Sequence, residues 1–325
     1  MFLMKPCIKK RYSLTGMFLV VLFLVSCTQV FQKTKNLQIH NRQYITVLGT
    51  AQDAGYPQIN CQKSCCLSYH EGKVEKKLIS CLGLIDLQAK KKWLFDATPD
   101  ITQQIQNLSN HLETASVIDG VFLTHAHIGH YTGLMYFGRE AMGATQVPVY
   151  TMPKMKSYLE TNGPWSQLVA LKNIQLKTLN HNAAVDLTSG LKVTPFLVPH
   201  RDEFSETVGY KIEGKNKSAL FIPDINKWKL WEKDIVAEVK KVDYAFLDAT
   251  FFKDGEIPRP MSEVPHPFIV ETAKLFETED RFTKNKVIFI HFNHSNPALQ
   301  ESNTLKDSLK AKGFQFAEEG MSVGL

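Results

Sequence analysis

Short apolar runs recur along most of the chain and are separated by polar segments rich in turn-forming residues. Apolar runs of strand length predict buried strands, and apolar residues three or four positions apart predict helices. The predicted strands are 44–48, 78–87, 92–96, 117–123, 147–150, 185–189, 191–198, 207–212, 218–222, 244–247 and 287–290, and the predicted helices are 99–112, 133–142, 155–161, 228–240 and 305–312. Strands that pair as hairpins early and alternate with helices later indicate two mixed sheets with helices outside them.

Residues 43–325 form one continuous unit in this pattern, because no fixed-period repeat and no low-complexity linker interrupts them. The composition, 44% hydrophobic and 22% charged, is typical of a globular fold with a sizeable core. We therefore predict a single domain of the α/β (α+β) class over 43–325. The polar, irregular stretch 27–42 that precedes it is interpreted as a tether.

The first 26 residues have a different character. Four basic side chains at positions 5–11 precede an apolar run at 17–25 that is too short to span a bilayer comfortably. This order predicts a secretory signal, and Leu24-Val25-Ser26-Cys27 resembles a bacterial lipobox. We expect an exported lipoprotein, anchored in the membrane through lipidated Cys27, at the outer membrane or the periplasmic face in a Gram-negative cell. An uncleaved signal anchor and a start codon assigned too early are the alternatives.

The charge of the chain gives little support for a polyanionic partner. The formal net charge is +6, and four of the positive side chains belong to the predicted signal. No basic patch with interleaved aromatic residues is present, so we expect no nucleic-acid binding. A small-molecule substrate is expected, and a homodimer is left open.

Three histidines, His125, His127 and His130, fall within six residues directly after the predicted strand 117–123. Neutral imidazole is the commonest metal ligand in proteins. Three protein ligands with an open fourth position are also what a catalytic zinc requires. The cluster therefore predicts a metal site at the end of this strand.

Metal-binding residue types follow other predicted strands as well. His125, His200, Asp224, Asp248 and His291 each lie directly after a buried hydrophobic strand or one residue beyond it. Polar side chains at several strand ends can converge on one rim of a two-sheet structure. Five such positions predict one shared cleft.

The motifs around these positions resemble a known family. The histidine cluster, Pro199-His200, Pro223-Asp224 and Ile290-His291 resemble the metallo-β-lactamase superfamily. Residues 49–58, 98–101, 131–133, 247–251 and 290–297 are more narrowly similar to the family of coenzyme PQQ synthesis protein B. The resemblance extends over about 43–325 and implies an αββα four-layer sandwich with two metals at one edge of the sheets.

The resemblance also implies ligands by position. The first metal takes His125, His127 and His200, and the second takes His130 and His291, with Asp224 bridging the two. The superfamily pattern His-x-His-x-Asp-His has an aspartate where this chain has Gly129, and glycine offers no ligand. We therefore expect one firm zinc and a second site that is weaker, differently coordinated or empty, and we expect Gly129→Asp to raise the metal content towards two per chain.

Cys61, Cys65 and Cys66 form an odd trio, which is a poor disulfide framework but three quarters of a tetrahedral zinc site. The phosphodiesterase of phosphonate breakdown, a further relative, uses a histidine at the offset of His294 together with such cysteines. This resemblance implies a structural zinc bound by the three cysteines and His294. A disulfide within the trio is the alternative, and export would favour it.

These residues predict a zinc-dependent hydrolase in which a metal-bound hydroxide attacks an ester or phosphodiester. Asp224 is expected to orient the water and take its proton, and His130 or His266 to stabilise charge or protonate the leaving group. Asp248 is expected to hold a histidine or a loop in place rather than to bind metal. The loop 251–267, which contains several prolines and His266, is expected to form a lid or pocket wall.

Two other functions are compatible with the same residues. Histidines with one carboxylate also suit non-haem iron, which would give an oxygenase-like role related to coenzyme PQQ biosynthesis. The third alternative is a non-catalytic metal-binding protein on the same fold. Metal analysis and turnover of metal-loaded protein separate the three.

Overall fold

A computed structural model describes residues 42–258, 260–300 and 303–325. The predicted signal at 1–26, Cys27 and residues 28–41 of the predicted tether lie outside the described residues. All described residues belong to one compact unit, which contains two seven-stranded sheets with helices packed against them. The predicted architecture of two mixed sheets with outer helices is confirmed.

The strands divide evenly between the sheets. In the first sheet they run in the spatial order β14-β1-β2-β3-β4-β5-β6, and in the second in the order β13-β12-β11-β10-β9-β8-β7. The first sheet contains β1 Gln43–Gly49, β2 Cys81–Asp86, β3 Lys91–Phe95, β4 Gly120–Phe122, β5 Val147–Thr151, β6 Ile174–Thr178 and β14 Ser322–Gly324. The second contains β7 Val185–Thr188, β8 Leu191–Leu197, β9 Val208–Glu213, β10 Ser218–Ile222, β11 Tyr244–Asp248, β12 Val287–Ile290 and β13 Gln315–Phe316.

The helices are short. The α-helices of the described residues are α1 Ser64–His70, α2 Ile101–Ser109, α3 Ile128–Tyr131, α4 Pro153–Thr161, α5 Trp165–Ala170, α6 Ile235–Lys240, α7 Ile269–Leu275, α8 Arg281–Asn285 and α9 Thr304–Ala311. Four 3-10 helices accompany them at Thr132–Phe137, Trp228–Leu230, Met261–Glu263 and Pro297–Leu299. Helix α2 packs near β1 of the first sheet, and apolar residues of α6, α7 and α9 join the core outside the second sheet.

The central strands β11 and β12 of the second sheet are buried on both faces. Phe246 and Ile288 point into the core between the two sheets, and their neighbours Ala245, Leu247 and Phe289 point into the outer core beneath the helices. This alternation follows from the two-residue period of a strand. A strand covered on both faces is apolar at every position, which is why these segments appear as continuous hydrophobic runs in the sequence.

Two predicted helices differ from the structure. The predicted helix 133–142 is a 3-10 helix at Thr132–Phe137, where Gly133 approaches the backbone carbonyl of Thr98 so closely that a Cβ would lie 2.0 Å from its oxygen. The predicted helix 228–240 is divided into a 3-10 turn and α6. Asp234 begins α6, because its side chain accepts a hydrogen bond from the Ala237 backbone N–H.

The C-terminal ends of the central strands lie along one edge of the molecule. Strands β3 and β4 are parallel in the first sheet, and β10, β11 and β12 are parallel in the second. Parallel strands end at the same edge, so the residues that follow them lie near one another. This edge is where the predicted site residues are found.

One sequence prediction must be corrected. Among the helices of the described residues, none combines the length and apolar character that crossing a membrane requires. The described residues thus give no support to the predicted membrane anchor, and we withdraw that anchor together with the lipoprotein interpretation. Cys27 itself lies outside the described residues.

Candidate metal centre

The first group of potential ligands joins the two sheets. His125 and His127 follow β4 of the first sheet, whereas His200 and Asp224 follow β8 and β10 of the second. Each offers a ligand atom within 4.8 Å of the others. Asp224 is central, because its Oδ2 lies 3.3 Å from His125 Nε2 and its Oδ1 lies 3.3 Å from His200 Nε2.

Two atoms of this group are buried and have no hydrogen-bond partner of suitable geometry among the described residues. They are His200 Nε2 and Asp224 Oδ1. A buried polar atom that lacks a partner is costly unless another group satisfies it. Three imidazoles and one carboxylate are ligands that zinc and related metals accept. The donor set and its unsatisfied atoms therefore fit a bound metal ion.

The second group contains a residue that the sequence analysis missed. Asp53, His130, Asp224 and His291 also place their ligand atoms within 4.8 Å of one another. Asp53 Oδ1 lies 2.9 Å from His130 Nε2 and 3.3 Å from His291 Nε2. The expected shortage of a carboxylate, caused by Gly129, is therefore corrected by Asp53, which reaches the group from the loop after β1. β1 is parallel to β3, so the loop after β1 leaves the sheet at the same edge, but Asp53 lies four residues beyond the strand, too far for the strand-end rule to identify it.

Supporting contacts hold the histidine rings from the side away from the ligand groups. His130 Nδ1 donates to Asp96 Oδ2 at 2.7 Å, and Asp96 also accepts from the Thr124 backbone N–H at 2.8 Å. The remaining contacts join His125 Nδ1 to Thr124 Oγ1 at 2.9 Å, His200 Nδ1 to Asn226 Oδ1 at 3.2 Å and His291 Nδ1 to Thr250 Oγ1 at 3.0 Å. Such contacts orient metal-binding histidines and fix which nitrogen faces the metal. Asp96 follows β3, so its position at a strand end was the available signal.

The buried carboxylates and imidazoles of the site change one another's pKa values. Burial alone would raise the pKa of Asp224, but the neighbouring His200 and His266 outweigh it and hold that pKa well below its usual value. Burial likewise opposes ionisation of Asp53, yet His130 lowers the pKa of the carboxyl well below its usual range. Burial, aided by the charge of His130, lowers the pKa of His125. Both aspartates are thus held as carboxylates, the form that binds a cation.

His266 belongs to a third group with Asp224 and Asp248. Its Nδ1 lies 2.8 Å from Asp248 Oδ2 and 3.1 Å from Asp224 Oδ1. Burial would lower the pKa of His266, but Asp248 and then Asp224 outweigh burial and raise it to about 10. Asp248 also accepts hydrogen bonds from the backbone N–H groups of Ile225 and Thr250, at 3.1 and 2.9 Å. Asp248 therefore has the contacts of a residue that holds a histidine and a loop in place.

The three cysteines cluster, but His294 does not join them. Cys61, Cys65 and Cys66 place their sulfur atoms within 4.8 Å of one another, in a group that does not include His294. His294 instead places Nδ1 3.2 Å from Asn293 Oδ1. Within the described residues the three cysteines form no disulfide, and 3.7 Å separates the sulfur atoms of Cys61 and Cys65. Adjacent cysteines can share the group because Cys65 and Cys66 lie in the first turn of α1.

A cavity of about 650 Å³ opens beside this centre. His266 and Thr250 line it on the side of the ligand groups, and Cys65 and His294 line it elsewhere. The loop 251–267 contributes Phe251, Glu256, Ile257, Glu263 and Pro265 to its lining. The predicted pocket-wall position of that loop is therefore observed. The volume is typical of cavities that bind small molecules.

Comparisons with known proteins identify the family of this chain and proteins that are similar to it. A family model described as "Beta-lactamase superfamily domain" matches residues 91–292. Coenzyme PQQ synthesis protein B of Methylobacillus flagellatus is 26% identical over 309 residues, which cover 86% of this chain and 99% of that protein. The protein of the same name from Rhizobium meliloti is 25% identical over 307 residues, covering 86% of this chain and 97% of that protein.

Solved structures share the fold at lower identity. Zn²⁺-bound PqqB from Methylobacterium extorquens has a TM-score of 0.73 and 23% identity, covering 87% of this chain and 100% of that one. A diphosphatase from the PhnP family has a TM-score of 0.58 and 23% identity, covering 86% of this chain and 96% of that one. Both similarities concern the arrangement of the two sheets and their helices.

Proposed function

The chain belongs to the beta-lactamase superfamily, and from this premise we propose that it is a metal-dependent hydrolase. The resemblance to coenzyme PQQ synthesis protein B that the sequence motifs indicate is also confirmed. The observation that carries the proposal is the pair of ligand groups that share Asp224 at the edge of a cavity of about 650 Å³. A site of this kind provides both a place for metal ions and room for a substrate.

The ligand groups define which residues would hold the ions. The first ion would be held by His125, His127, His200 and Asp224, and the second by Asp53, His130, His291 and Asp224. Zinc is the metal we propose, because imidazole and carboxylate ligands suit it and the PqqB structure of similar fold contains Zn²⁺. When bound, such an ion supplies an activated water and polarises the bond to be cleaved. The cysteine group would hold a separate, structural ion.

The protein's own residues would then manage the protons. Asp224, held as a carboxylate, orients the attacking water and takes its proton as the water oxygen bonds to the carbonyl carbon or phosphorus. His266 lies at the cavity wall and donates a proton to the leaving oxygen as its bond breaks. His130 is less suited to this task, because its ring nitrogens face Asp96 and Asp53. The structure thus favours His130 as a ligand and His266 as the acid.

Carboxylic esters and phosphodiesters are the proposed substrate classes. Both present an oxygen that a metal can polarise and a leaving oxygen that needs a proton. Support for the phosphate chemistry comes from the diphosphatase of similar fold. The cavity is large enough for a small molecule.

The proposal is tested by assaying zinc-loaded protein on a panel of carboxylic esters and phosphodiesters. We expect turnover that His200→Ala abolishes. His266→Gln should lower kcat by about 10²–10⁴-fold for alkoxide leaving groups, and much less for p-nitrophenolate, which leaves without a proton. His181→Gln, at an exposed histidine outside the ligand groups, should match the wild type. If the zinc-loaded protein turned over no substrate of the panel, the proposed hydrolase function would be contradicted.

A second candidate is an oxygenase-like role that uses iron. It is favoured by the similarity to coenzyme PQQ synthesis protein B, which extends over 99% of the Methylobacillus flagellatus protein. Imidazoles with carboxylates also suit non-haem iron. Protein purified without added metal should then contain about one iron per chain and consume oxygen during turnover, whereas the hydrolase should work without oxygen.

A further inference from the structure

We infer that Asp53 and Gly129 act as a pair, in which the loop after β1 supplies the carboxylate of the second metal and glycine at position 129 makes room for it. The inference rests on the proposed function to the extent that it requires a metal in the second group. It assigns a binding role to Asp53 and explains why the superfamily's aspartate is replaced by glycine rather than by another side chain.

The carboxylate of Asp53 is aimed into the second group. Its Oδ1 lies between His130 Nε2, at 2.9 Å, and His291 Nε2, at 3.3 Å. Only 13% of the Asp53 side chain is exposed, and both histidine side chains are fully buried. A buried carboxylate that faces two imidazoles provides the charged, oxygen-containing ligand that position 129 lacks.

Gly129 has no room for any side chain. A Cβ placed on it would lie 2.5 Å from Asp53 Cα, 2.7 Å from Asp53 Oδ1 and 2.8 Å from Asp53 Cβ. The nearest of these atoms belongs to the backbone, so a change of rotamer at Asp53 cannot remove the clash. The backbone of Gly129 is not in the left-handed region that favours glycine. Space, rather than conformational freedom, therefore accounts for this glycine.

The loop that carries Asp53 cannot retreat easily, because both sheets hold it. Ala51 accepts a hydrogen bond from the backbone N–H of Ser80 at 2.7 Å, beside the first sheet. The Gln52 backbone N–H donates to the carbonyl of Phe292 at 2.8 Å, beside the second sheet and directly after His291. Asp53 is thus fixed immediately after two anchored residues. A ligand on an anchored backbone is positioned before the metal arrives.

A side chain at position 129 and the carboxylate of Asp53 should consequently exclude each other. Gly129→Ala removes no ligand atom, yet it should displace Asp53 and weaken the second metal site as Asp53→Ala does. Because both changes act through the same carboxylate, their effects should not add. This reverses the expectation from the sequence, since Gly129→Asp would now displace the carboxylate already present.

The test measures Zn²⁺ content by elemental analysis and Zn²⁺ affinity by chelator competition, in full-length wild type, Asp53→Ala, Gly129→Ala and the double variant. Each single variant should lose about one zinc per chain, or bind its weakest active-site zinc about 100-fold less tightly, since loss of supporting contacts alone costs 10–100-fold. The double variant should resemble the single ones. Ile128→Ala, at an exposed neighbour in α3, should keep the wild-type content.

Unchanged zinc content and affinity in Asp53→Ala would overturn the inference, and so would a double variant that loses clearly more than either single one. Asp53→Asn, which preserves shape, decides the ligand role if Gly129→Ala does not fold, because it should still weaken zinc binding. These readouts do not depend on catalysis. If the variants show the expected zinc pattern but the wild type cleaves no panel substrate, the inference about Asp53 and Gly129 is supported and the proposed hydrolase function is contradicted.

Discussion

At the scale of single residues, Asp96 determines how His130 faces the second ligand group. It has a positive φ of 69°, as does His291 with 70°, at the ends of β3 and β12. Residues in this region of backbone space are uncommon outside glycine and are concentrated at functional sites. Asp96 uses this conformation to accept hydrogen bonds from Thr124 and His130 at once.

We predict that Asp96→Asn weakens metal binding without unfolding the protein. Asparagine tolerates a positive φ, but its amide cannot provide the same charged acceptor to His130 Nδ1. Zinc affinity, measured by chelator competition, should fall by about 10–100-fold. Asp119→Asn is the matched control, because Asp119 pairs with exposed Lys91 and belongs to no ligand group. Equal affinities in Asp96→Asn and wild type would show that this contact does not orient the ring.

At the scale of elements, Asp86 connects the two sheets at a distance from the ligand groups. It is the last residue of β2, and its Oδ2 accepts from Gln43 Nε2 at 2.8 Å and from Thr188 Oγ1 of β7 at 2.6 Å. Its Oδ1 accepts from the backbone N–H groups of Gln88 and Ala89, each at 2.9 Å. Burial opposes ionisation, but these hydrogen bonds, with Thr188 first, lower the pKa of Asp86.

This contact predicts a pH-dependent contribution to stability. A lowered native pKa means that Asp86 stabilises the fold at any pH above its ordinary pKa of about 3.9, and that the contribution is lost as pH falls through the native value. At pH 7, Asp86→Asn should be less stable by about 1–3 kcal/mol in urea unfolding. The difference should shrink below pH 4. Asp186→Asn, at an exposed position of β7, should show no such trend, and a constant difference at all pH values would contradict the assignment.

Buried strands were easier to predict from the sequence than short or exposed elements. The strands β10, β11 and β12 were predicted because both of their faces are covered, which leaves an unbroken apolar run. The predictions missed the helices α1, α3, α5, α7 and α8 and the strands β6, β13 and β14. Each is short, and β6 exposes Gln175, Lys177 and Thr178, so its sequence lacks a clear period. The order of apolar and polar residues therefore identifies strands that are covered on both faces, and it is less informative for strands at the edges of the sheets.

The site residues could be predicted where they directly follow a buried strand. His125, His200, Asp224 and His291 were found because each follows a recognisable strand, and the structure brings them to one edge. Asp53 was missed because it lies four residues beyond β1, where a loop path rather than a strand end determines position. His294 is not within 4.8 Å of all three cysteine sulfur atoms, and its part in a structural zinc site stays a prediction, since an implied ligand depends on how two loops approach each other.

At the scale of the whole molecule, the first ligand group lies across the two sheets. His125 and His127 extend from β4 in one sheet, and His200 and Asp224 follow strands of the other. An ion held by all four would therefore join the two sheets at this edge. Two buried polar atoms at this edge, His200 Nε2 and Asp224 Oδ1, have no hydrogen-bond partner of suitable geometry in the part of the chain that the structure describes.

Metal removal should consequently lower the stability of the entire fold. Binding to the native state alone adds RT ln(1 + [L]/Kd), which is about 2.7 kcal/mol at a free zinc concentration 100 times Kd. The wild type should melt several degrees lower in chelator than in Zn²⁺, measured by differential scanning calorimetry. His200→Ala should show a clearly smaller shift. Equal shifts in both proteins would mean that the stabilising ion is bound elsewhere, with the three cysteines as the obvious place.

Asp224 is common to three of the groups in which ligand atoms converge. Replacing it would disturb both ions and the partner of His266 together, and the resulting loss could not be attributed to any one of them. Residues that serve one group alone, such as His200 and Asp53, are the positions at which the two ions can be removed separately. Variants of His200 and Asp53 should therefore affect one ion each, whereas a variant of Asp224 should affect both.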